Sequence, residues 1–360
     1  MKIFIHVNAL TGGGAEQVVA LWATEFAKLN HDVTVIIRND GRPITYVTSD
    51  DVRVIRIGPD KGNKVSKYIC RLREARRLMK EMRPDVIIGV LNNATIEAYL
   101  ASRGLGIPVI NTEHNTFDRP ASAKMPLSLK IKKFLINRLY SHVTVLTTAD
   151  KDIAAKFLKR LSLMPNPLAF EPLSTPEIID SKEKIVLAVG RIDVWHCKGF
   201  DLLIEAWAKS QHPGWRLKIM GGGHEQSFDY LKGIARRYGV ENSIEFTGYT
   251  TKPLKDYQSA SIFVLSSRYE GFGLVLIEAM SQGCACISAD HKGRQREIQQ
   301  DAGIIVDTEN AEQIADAITL LVNDDKLRRE LQEKAVERSK EYLPHKIAAR
   351  WDAIFRDVIK

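Results

Sequence analysis

Short runs of apolar, β-branched residues alternate with longer amphipathic stretches along nearly all of the 360 residues. Apolar runs of this length predict strands that are buried on both faces, and the stretches between them have helical spacing. This alternation is typical of parallel sheets that carry helices on both sides. The predicted strands are KIFIHV, DVTVII, VRVIRI, DVIIGV, PVINT and HVTVLT in the first half, and KIVLAVG, RLKIMG, IEFTG, SIFVLS, CACIS and GIIVD in the second.

The two series of strands predict two doubly wound α/β domains of the Rossmann type. Between them lies MPNPLAFEPLSTPEIIDSKEK, which has prolines at 165, 167, 172 and 176 and no clear periodicity, as is typical of a linker. We expect residues 1–165 and 166–345 to form domains that face each other across a cleft, and the amphipathic segment 346–360 to form a final helix. Ligands of such folds bind at the carboxyl ends of the strands.

Cysteines, hydropathy and charge limit the class of protein. The four cysteines (70, 197, 284 and 286) are too scattered for a disulfide framework or a zinc site, which favours a reducing cytoplasm. No apolar run approaches the ~20 residues that a membrane-spanning helix needs. Residues 1–165 hold 26 Lys and Arg against 15 Asp and Glu, so the net charge of +8 is concentrated in the first half. That half is expected to carry any basic surface.

Glycine-rich loops follow predicted strands in both halves. Gly13 and Gly14 open the first predicted helix, where free N–H groups could meet an anion or a sugar. A dinucleotide fingerprint needs Gly or Ala where this loop has Gln17 and where the later GGGHEQ has Gln226. An NAD-dependent dehydrogenase is therefore disfavoured. For GGGHEQ, a tight turn and a ligand contact fit about equally well.

The segment KIVLAVGRIDVWHCKGF places Arg191 and Lys198 just past a predicted strand. A forked guanidinium and a point-like ammonium at the mouth of a cleft suit a diphosphate. Exposed cations are common, so the position after a strand is what favours this interpretation.

The segment RYEGFGLVLIEAMSQG contains two glutamates, Glu270 and Glu278, in an apolar run. A helix is predicted from Gly273, so the N–H groups of Phe272, Gly273 and Leu274 are free to bind a phosphate. Carboxylates repel phosphate, so the glutamates would accept hydrogen bonds from hydroxyls on either side of it. A nucleotide-diphosphate sugar has that arrangement. Equally, Glu270 could be a favourable charge at the helix start and Glu278 a solvated helix residue.

Together, E-G-F-G-L-x-x-x-E-A, the GR and KG around Arg191 and Lys198, and GGAE after the first strand resemble the retaining family-4 glycosyltransferases of the GT-B fold. The resemblance implies that Glu270 contacts the donor sugar, that the amides of 272–274 contact sugar and phosphates, and that Glu278 holds the ribose. It also implies that Arg191 and Lys198 neutralise the diphosphate.

The same resemblance implies that a histidine after an N-terminal strand approaches the donor sugar, and His114 in TEHN fits that position. Gly13, Gly14 and Tyr249 complete the predicted donor contacts. The final helix of such enzymes commonly returns to the first domain.

The implied function is transfer of a hexose or N-acetylhexosamine, with UDP as the favoured nucleotide, to a lipid-linked, lipopolysaccharide or capsule glycan. Transfer with retention, which forms an α-linkage, would proceed on the face from which the nucleotide leaves, and the protein would contribute electrostatic stabilisation of the leaving diphosphate. No cofactor is expected. No obligatory metal is expected either, because Asp150-Lys151-Asp152 lies between a strand and a helix, where a helix N-cap is the better interpretation.

Two basic stretches predict association with the inner face of an anionic cytoplasmic membrane. Residues 64–83 hold eight Lys or Arg against two glutamates, with an apolar stripe that is expected to face the core. The stripe is Val65, Tyr68, Leu72, Ala75, Met79 and Met82. A second stretch adds Lys130, Lys132, Lys133 and Arg138.

No nucleic-acid motif accompanies these basic stretches, so no nucleic-acid partner is expected. Two alternatives stay open: a nucleotide-sugar epimerase on a similar frame, and a non-catalytic nucleic-acid-binding protein. An epimerase would act without an acceptor. A nucleic-acid-binding protein would not respond to nucleotide sugars.

Overall fold

The computed structural model describes residues 1–174 and 177–359. The chain divides into two compact units. The first contains Met1–Asp118, Met125–Ala169 and the chain from Leu343 onward; the second contains Arg119–Lys124 and Phe170–Tyr342. The units therefore divide within the predicted linker, at Ala169 and Phe170. Thr175 and Pro176 of that linker, and Lys360 of the terminal segment, lie outside the described residues.

The first unit is built on a parallel sheet of seven strands in the order β3-β2-β1-β4-β5-β6-β7. Its strands are β1 Lys2–His6, β2 Asp32–Arg38, β3 Arg53–Ile57, β4 Val86–Val90, β5 Val109–Thr112, β6 His142–Val145 and β7 Leu161–Leu163. Its helices, apart from the last one of the chain, are α1 Gly14–Lys28, α2 Lys64–Met82, α3 Asn92–Ser102, α4 Leu127–Phe134 and α5 Thr148–Ala154. Six of these strands were predicted. The edge strand β7 was missed because it has three residues and is only partly buried.

The apolar stripe predicted on α2 is only partly correct. Ala75 and Met79 are buried, but the side chain of Val65 is 69% exposed. The cations of this helix are also less available than expected, since Arg71 donates to the buried Glu97 at 3.0 Å and Arg76 donates to two backbone carbonyls at the C-terminal end of α3. Part of the predicted basic surface is therefore used within the first unit.

The second unit has a parallel sheet of six strands in the order β10-β9-β8-β11-β12-β13. Its strands are β8 Glu183–Val189, β9 Arg216–Met220, β10 Ile244–Gly248, β11 Ala260–Leu265, β12 Ala285–Asp290 and β13 Gly303–Asp307. Its helices are α6 Glu177–Asp180, α7 Trp195–Lys198, α8 Phe200–Lys209, α9 Glu225–Arg237, α10 Leu254–Ser259, α11 Leu274–Ser281, α12 Arg294–Gln299, α13 Ala311–Asn323 and α14 Asp325–Ser339.

Short 3-10 helices connect some of these elements in both units. They are Ala121–Ala123, Ile136–Leu139, Ile192–Val194, Glu241–Ser243 and Lys340–Tyr342. The predicted pair of doubly wound sheets is confirmed. In each sheet the strand order reverses once, between β1 and β4 in the first and between β8 and β11 in the second, and ligands of open α/β sheets bind beside such reversals.

The last helix, α15 Pro344–Val358, belongs to the first unit and packs on α1. Trp351 is fully buried, with its ring centroid 5.1 Å from that of Trp22 and 6.0 Å from that of Phe26. Phe355 stacks on Trp351 and completes this aromatic cluster. The amphipathic pattern of 346–360 thus corresponds to a helix whose apolar face is part of a core.

Among the described residues, no helix is both long and apolar enough to cross a bilayer. All four cysteines are free thiols, with Cys284 and Cys286 buried in the second unit.

We expect Trp351→Ala to lower the free energy of unfolding by about 3–5 kcal/mol, because it leaves a large cavity beside Trp22 and Phe26. Denaturant unfolding measures this loss. Arg350→Ala, at an exposed position of the same helix, is the control and should change stability by less than about 0.5 kcal/mol. A loss below about 1 kcal/mol for Trp351→Ala would show that α15 contributes little to the first unit.

Candidate active site

In the second unit, the loops after β8 and β11 are locked together beside the reversal of strand order. Gly199 has φ +64°, and a Cβ on it would overlap the carbonyl oxygen of Ser266. The Ser266 hydroxyl donates to the carbonyl of Lys198 at 2.9 Å, and the Arg268 N–H donates to the carbonyl of Cys197 at 2.9 Å. These contacts fix Lys198 against the loop that carries Glu270.

Lys198 and Glu270, both predicted site residues, form an ion pair. The Lys198 Nζ lies 2.6 Å from Glu270 Oε1, and the Ser267 hydroxyl donates to the same oxygen at 2.8 Å. The two charged side chains are only 20% and 14% exposed. Burial would lower the pKa of Lys198, but the charge and hydrogen bond of Glu270 outweigh it and raise that pKa. A fixed cation and a fixed carboxylate therefore lie side by side.

The predicted strand-to-helix turn lies directly after Glu270 in the chain. Helix α11 begins at Leu274, after Gly273 in a left-handed conformation with φ +86°. No side chain among the described residues caps this end of the helix, and Phe272 is buried against Tyr342. The first N–H groups of α11 are therefore available to an anion.

Glu278 lies inside α11 and is buried, so the alternative of a solvated helix residue is wrong. Its carboxyl accepts a hydrogen bond from the Tyr257 hydroxyl at 2.9 Å. Burial raises the pKa of Glu278 to about 7, although the bond from Tyr257 opposes that rise. Tyr257, on α10, carried no signal in the sequence because it belongs to no motif.

The remaining predicted residues of the second unit are more exposed. The side chain of Arg191 is 70% exposed, and its nearest carboxylate is Asp193 at 3.6 Å. Tyr249 is 63% exposed. In GGGHEQ, a Cβ on Gly221 would overlap the carbonyl oxygen of Gly190, so this glycine is required by packing.

Arg268 forms the support of this site, and sequence analysis missed it. Its guanidinium donates to both carboxylate oxygens of Asp201 at 2.8 Å, to Glu309 at 3.1 Å and to the carbonyl of His196 at 2.5 Å. Bidentate pairing of this kind fixes geometry as well as adding energy. Arg268 thereby joins the loop before Glu270 to the α7–α8 segment that carries Lys198.

In the first unit, His114 follows β5 as predicted. Its Nε2 lies 3.1 Å from the Thr112 hydroxyl, and its ring centroid is 5.8 Å from that of Trp22. The pKa of His114 is lowered to about 4, chiefly by burial; the Glu113 carboxylate opposes this fall and the Lys133 cation adds to it. The imidazole is therefore neutral at pH 7, which suits a hydrogen bond to an uncharged hydroxyl.

A buried ion pair holds the loop that carries His114. Lys133, on α4, is fully buried and donates to Glu113 at 2.5 Å and to the carbonyl of Asn115 at 2.8 Å. The Asn137 amide donates to the second oxygen of Glu113 at 2.9 Å. The prediction that Lys133 contributes to a basic surface is therefore wrong, because its charge is used inside the first unit.

The prediction of an N-cap at Asp150-Lys151-Asp152 is also wrong in detail. The N-cap of α5 is Thr147, whose side chain accepts from the N–H of Asp150. Asp150 lies in the first turn and accepts from the N–H of Phe117 at 2.7 Å and from the hydroxyl of Thr116 at 3.1 Å. Among the described residues there is no cluster of three side chains that could hold a metal ion.

In the first glycine loop, a side chain from the first turn of α1 occupies the space beside Gly13. Gly13 is the N-cap residue of α1 and Gly14 its first residue. The Glu16 carboxylate lies where a Cβ on Gly13 would be, and burial raises the pKa of Glu16. A carboxylate at this helix end disfavours phosphate and leaves a sugar hydroxyl as the better partner.

Comparison with known proteins agrees with these two units. The model of the Glycosyltransferase Family 4 domain matches residues 12–172, and that of the Glycosyl transferases group 1 domain matches residues 170–338. The fold aligns with a sucrose-phosphate synthase from Thermosynechococcus elongatus over 99% of both chains, with a TM-score of 0.81 and 21% identity.

The chain is a family-4 glycosyltransferase of the GT-B fold. The resemblance carried by E-G-F-G-L-x-x-x-E-A is therefore confirmed. Anabaena HepE in complex with UDP and glucose has the same fold, with a TM-score of 0.83 and 18% identity over 99% of this glycosyltransferase and 100% of HepE.

Two relatives align over almost the whole glycosyltransferase. The amylovoran biosynthesis glycosyltransferase AmsD of Erwinia amylovora is 29% identical over 98% of this chain and 99% of its own. A GalNAc-α-(1→4)-GalNAc-α-(1→3)-diNAcBac-PP-undecaprenol α-1,4-N-acetyl-D-galactosaminyltransferase of Campylobacter jejuni is 27% identical over 99% of both chains.

We expect Lys133→Met to lower the free energy of unfolding by about 3–5 kcal/mol, because it leaves the Glu113 carboxylate buried without its cation. The double variant Lys133→Met/Glu113→Gln should recover most of this loss. A double-mutant cycle by denaturant unfolding measures the coupling. Losses that simply add in the double variant would contradict the pairing.

Glu278 should make stability depend on pH. Its folded pKa of about 7 exceeds the ordinary 4.5, so between these values the folded chain keeps a proton that the unfolded chain releases. The resulting stability is complete below about pH 4.5 and is lost as the pH rises through about 7. When the pH is raised from about 5 to about 8, the free energy of unfolding of Glu278→Gln should therefore rise by about 2–3 kcal/mol relative to that of wild type. Thermal unfolding at both pH values tests this, with the exposed Glu245→Gln as control; parallel pH curves for wild type and Glu278→Gln would refute it.

Proposed function

We propose that this glycosyltransferase moves a hexose or N-acetylhexosamine from a nucleotide-diphosphate sugar, with UDP favoured, to a lipid-linked, lipopolysaccharide or capsule glycan. Transfer proceeds with retention and forms an α-linkage. The observation that carries the proposal is the Lys198–Glu270 ion pair beside the uncapped start of α11. It supplies a cation and N–H donors for phosphate next to a carboxylate that can accept from sugar hydroxyls.

Each group has a distinct task in this proposal. Lys198 has ammonium protons beyond the one that Glu270 uses, and they can meet a diphosphate oxygen together with the exposed Arg191. The N–H groups of 272–274 face the same charge. As the bond to the leaving diphosphate breaks, negative charge grows on its oxygens, and these fixed donors stabilise it without reorganising.

The carboxylates bind the neutral parts of the donor. Glu270 accepts hydrogen bonds from the hydroxyls of the transferred sugar, and Glu278, held by Tyr257, accepts from the ribose. In the first unit, the neutral His114 donates or accepts at an uncharged hydroxyl. The attacking hydroxyl enters on the face from which the diphosphate leaves, which retains the configuration without a protein nucleophile. No cofactor and no obligatory metal are needed for these steps.

Related proteins support the donor and the acceptor class. The Campylobacter jejuni relative is named for a glycan on PP-undecaprenol and for an α-1,4 transfer of N-acetylgalactosamine, and AmsD is named for amylovoran biosynthesis. HepE was solved with UDP and glucose. These names favour a UDP-sugar, an α-linkage and a bacterial polysaccharide or lipid-linked glycan for this enzyme.

The test begins with thermal shifts against UDP-, GDP- and ADP-sugars. The stabilising donor is then assayed for nucleotide release with and without a polyprenyl-diphosphate-linked glycan. Release that needs the acceptor supports transfer. Conversion of the donor sugar without an acceptor would instead support an epimerase, and no response to any nucleotide sugar would refute the proposal.

Glu270→Ala should reduce kcat by roughly 10²–10³-fold, since it removes the carboxylate that orients the sugar beside Lys198. The fold should persist, because Arg268 still joins the two loops. The matched control is Glu245→Ala, an exposed carboxylate on β10, which should keep wild-type activity. Near-normal turnover by a folded Glu270→Ala enzyme would defeat the assignment.

A further inference from the structure

Helix α4 and the 3-10 helix that follows it carry a row of exposed apolar side chains. Leu127, Ile131, Leu135 and Leu139 are 73%, 43%, 57% and 54% exposed, and they recur at intervals of four residues. Scattered exposed leucines are ordinary, but a contiguous row of this kind marks an interaction surface. We call these four residues the apolar ridge.

The other side of α4 is firmly packed, so the ridge is held outward. Lys133 is fully buried in its ion pair with Glu113. Phe134 packs against Phe117 and Phe157, with ring centroids 6.0 Å and 4.7 Å away. The ridge therefore belongs to an anchored helix with two distinct faces.

The charge around the ridge has a single sign. No Asp or Glu occurs between Asp118 and Asp150, while this stretch holds six Lys or Arg. Lys130 and Arg138 are exposed within or beside the ridge, and Lys132 is tied to Asn93 at 2.8 Å. An apolar row flanked by cations has the composition of a helix that lies in a membrane interface.

A cation-lined cavity adjoins the end of the ridge. It has a volume of about 610 Å³, and its lining includes Arg138, Lys156, Lys159 and Arg160 together with Tyr140. All four cations are exposed, and none is ion-paired within residues 1–174 and 177–359. Unpaired guanidinium and ammonium groups around a cavity suit the phosphate of a lipid headgroup.

We infer that α4 docks on an anionic lipid surface, with the apolar ridge inserted at the level of the acyl-chain boundary and the cation-lined cavity over phosphate headgroups. A nucleic acid would use the cations but leave the ridge in water, so lipid explains both features. The inference rests on the proposed function for the biological role of docking. An acceptor anchored in lipid must be reached at the bilayer surface.

The full chain is sedimented with vesicles of phosphatidylcholine alone and with vesicles that also contain phosphatidylglycerol. We expect binding to the anionic vesicles that weakens as salt is raised. Leu127→Ser/Ile131→Ser/Leu135→Ser should reduce the partition coefficient roughly 10–100-fold. Arg138→Gln/Lys159→Gln/Arg160→Gln should reduce it roughly 100-fold and abolish the preference for anionic lipid.

The matched control is Leu29→Ser/Val47→Ser/Leu320→Ser, which removes three exposed apolar side chains away from α4 and should bind as wild type does. Circular dichroism and thermal unfolding verify that every variant is folded. Failure of the wild type to bind anionic vesicles, or unchanged binding by the folded ridge variant, would overturn the inference. Binding of duplex DNA is measured in parallel. If the ridge variant still bound both the anionic vesicles and the DNA, charge alone would explain the surface, and this result would also overturn the inference.

Activity separates this inference from the proposed function. In an assay with the acceptor dispersed in detergent, the ridge variant should release nucleotide from the donor at the wild-type rate, since no ridge residue belongs to the active site. Vesicle binding by a wild-type enzyme that transfers no sugar would refute the proposed function and leave lipid docking intact. If the ridge variant lost as much activity in detergent as it does on vesicles, the ridge would serve the fold or catalysis instead.

Discussion

Parallel pairing of every strand with its neighbours is the constraint on which the rest of the structure depends. It sends the carboxyl ends of all strands in a sheet to one edge, so the loops that follow them collect there. Lys198 and Glu270 are 72 residues apart in sequence and 2.6 Å apart in space for this reason. The glycine at 199 then lets the two loops touch backbone to backbone.

The electrostatics of the second unit follow from that closeness. The partly buried Lys198 and Glu270 stabilise each other only while their geometry is fixed. Arg268 fixes that geometry by donating hydrogen bonds to Asp201, Glu309 and the carbonyl of His196. The site is thus preorganised before any ligand arrives. Glu278 is a contrasting case: within the described part of the chain its carboxyl is paired with the Tyr257 hydroxyl and with no cation, so burial raises its pKa to about 7.

Much of this could be predicted from the sequence, because burial on both faces leaves its mark in runs such as DVIIGV and SIFVLS. The E-G-F-G-L-x-x-x-E-A segment likewise identified a turn, a helix start and two carboxylates. What escaped prediction depends on partners that are distant in sequence. Tyr257 beside Glu278, Arg268 beside Asp201, and Lys133 beside Glu113 have no periodic or motif signal, and Lys133 looked like one more surface cation. The exposure of Val65 escaped for a related reason, since helical spacing identifies a stripe without showing how far the core extends beneath it.

Helix α15 gives the first unit an unusual order of assembly. Its fifteen residues are synthesised after the whole of the second unit, yet Trp351 fills the space between Trp22 and Phe26. During translation, part of the aromatic core of the first unit therefore stays exposed to water until α15 has been synthesised. The second unit is complete before that point and can already fold. The same connectivity means that no single cut of the chain can yield an intact first unit: a fragment that ends at Ala169 would lack the helix that closes it.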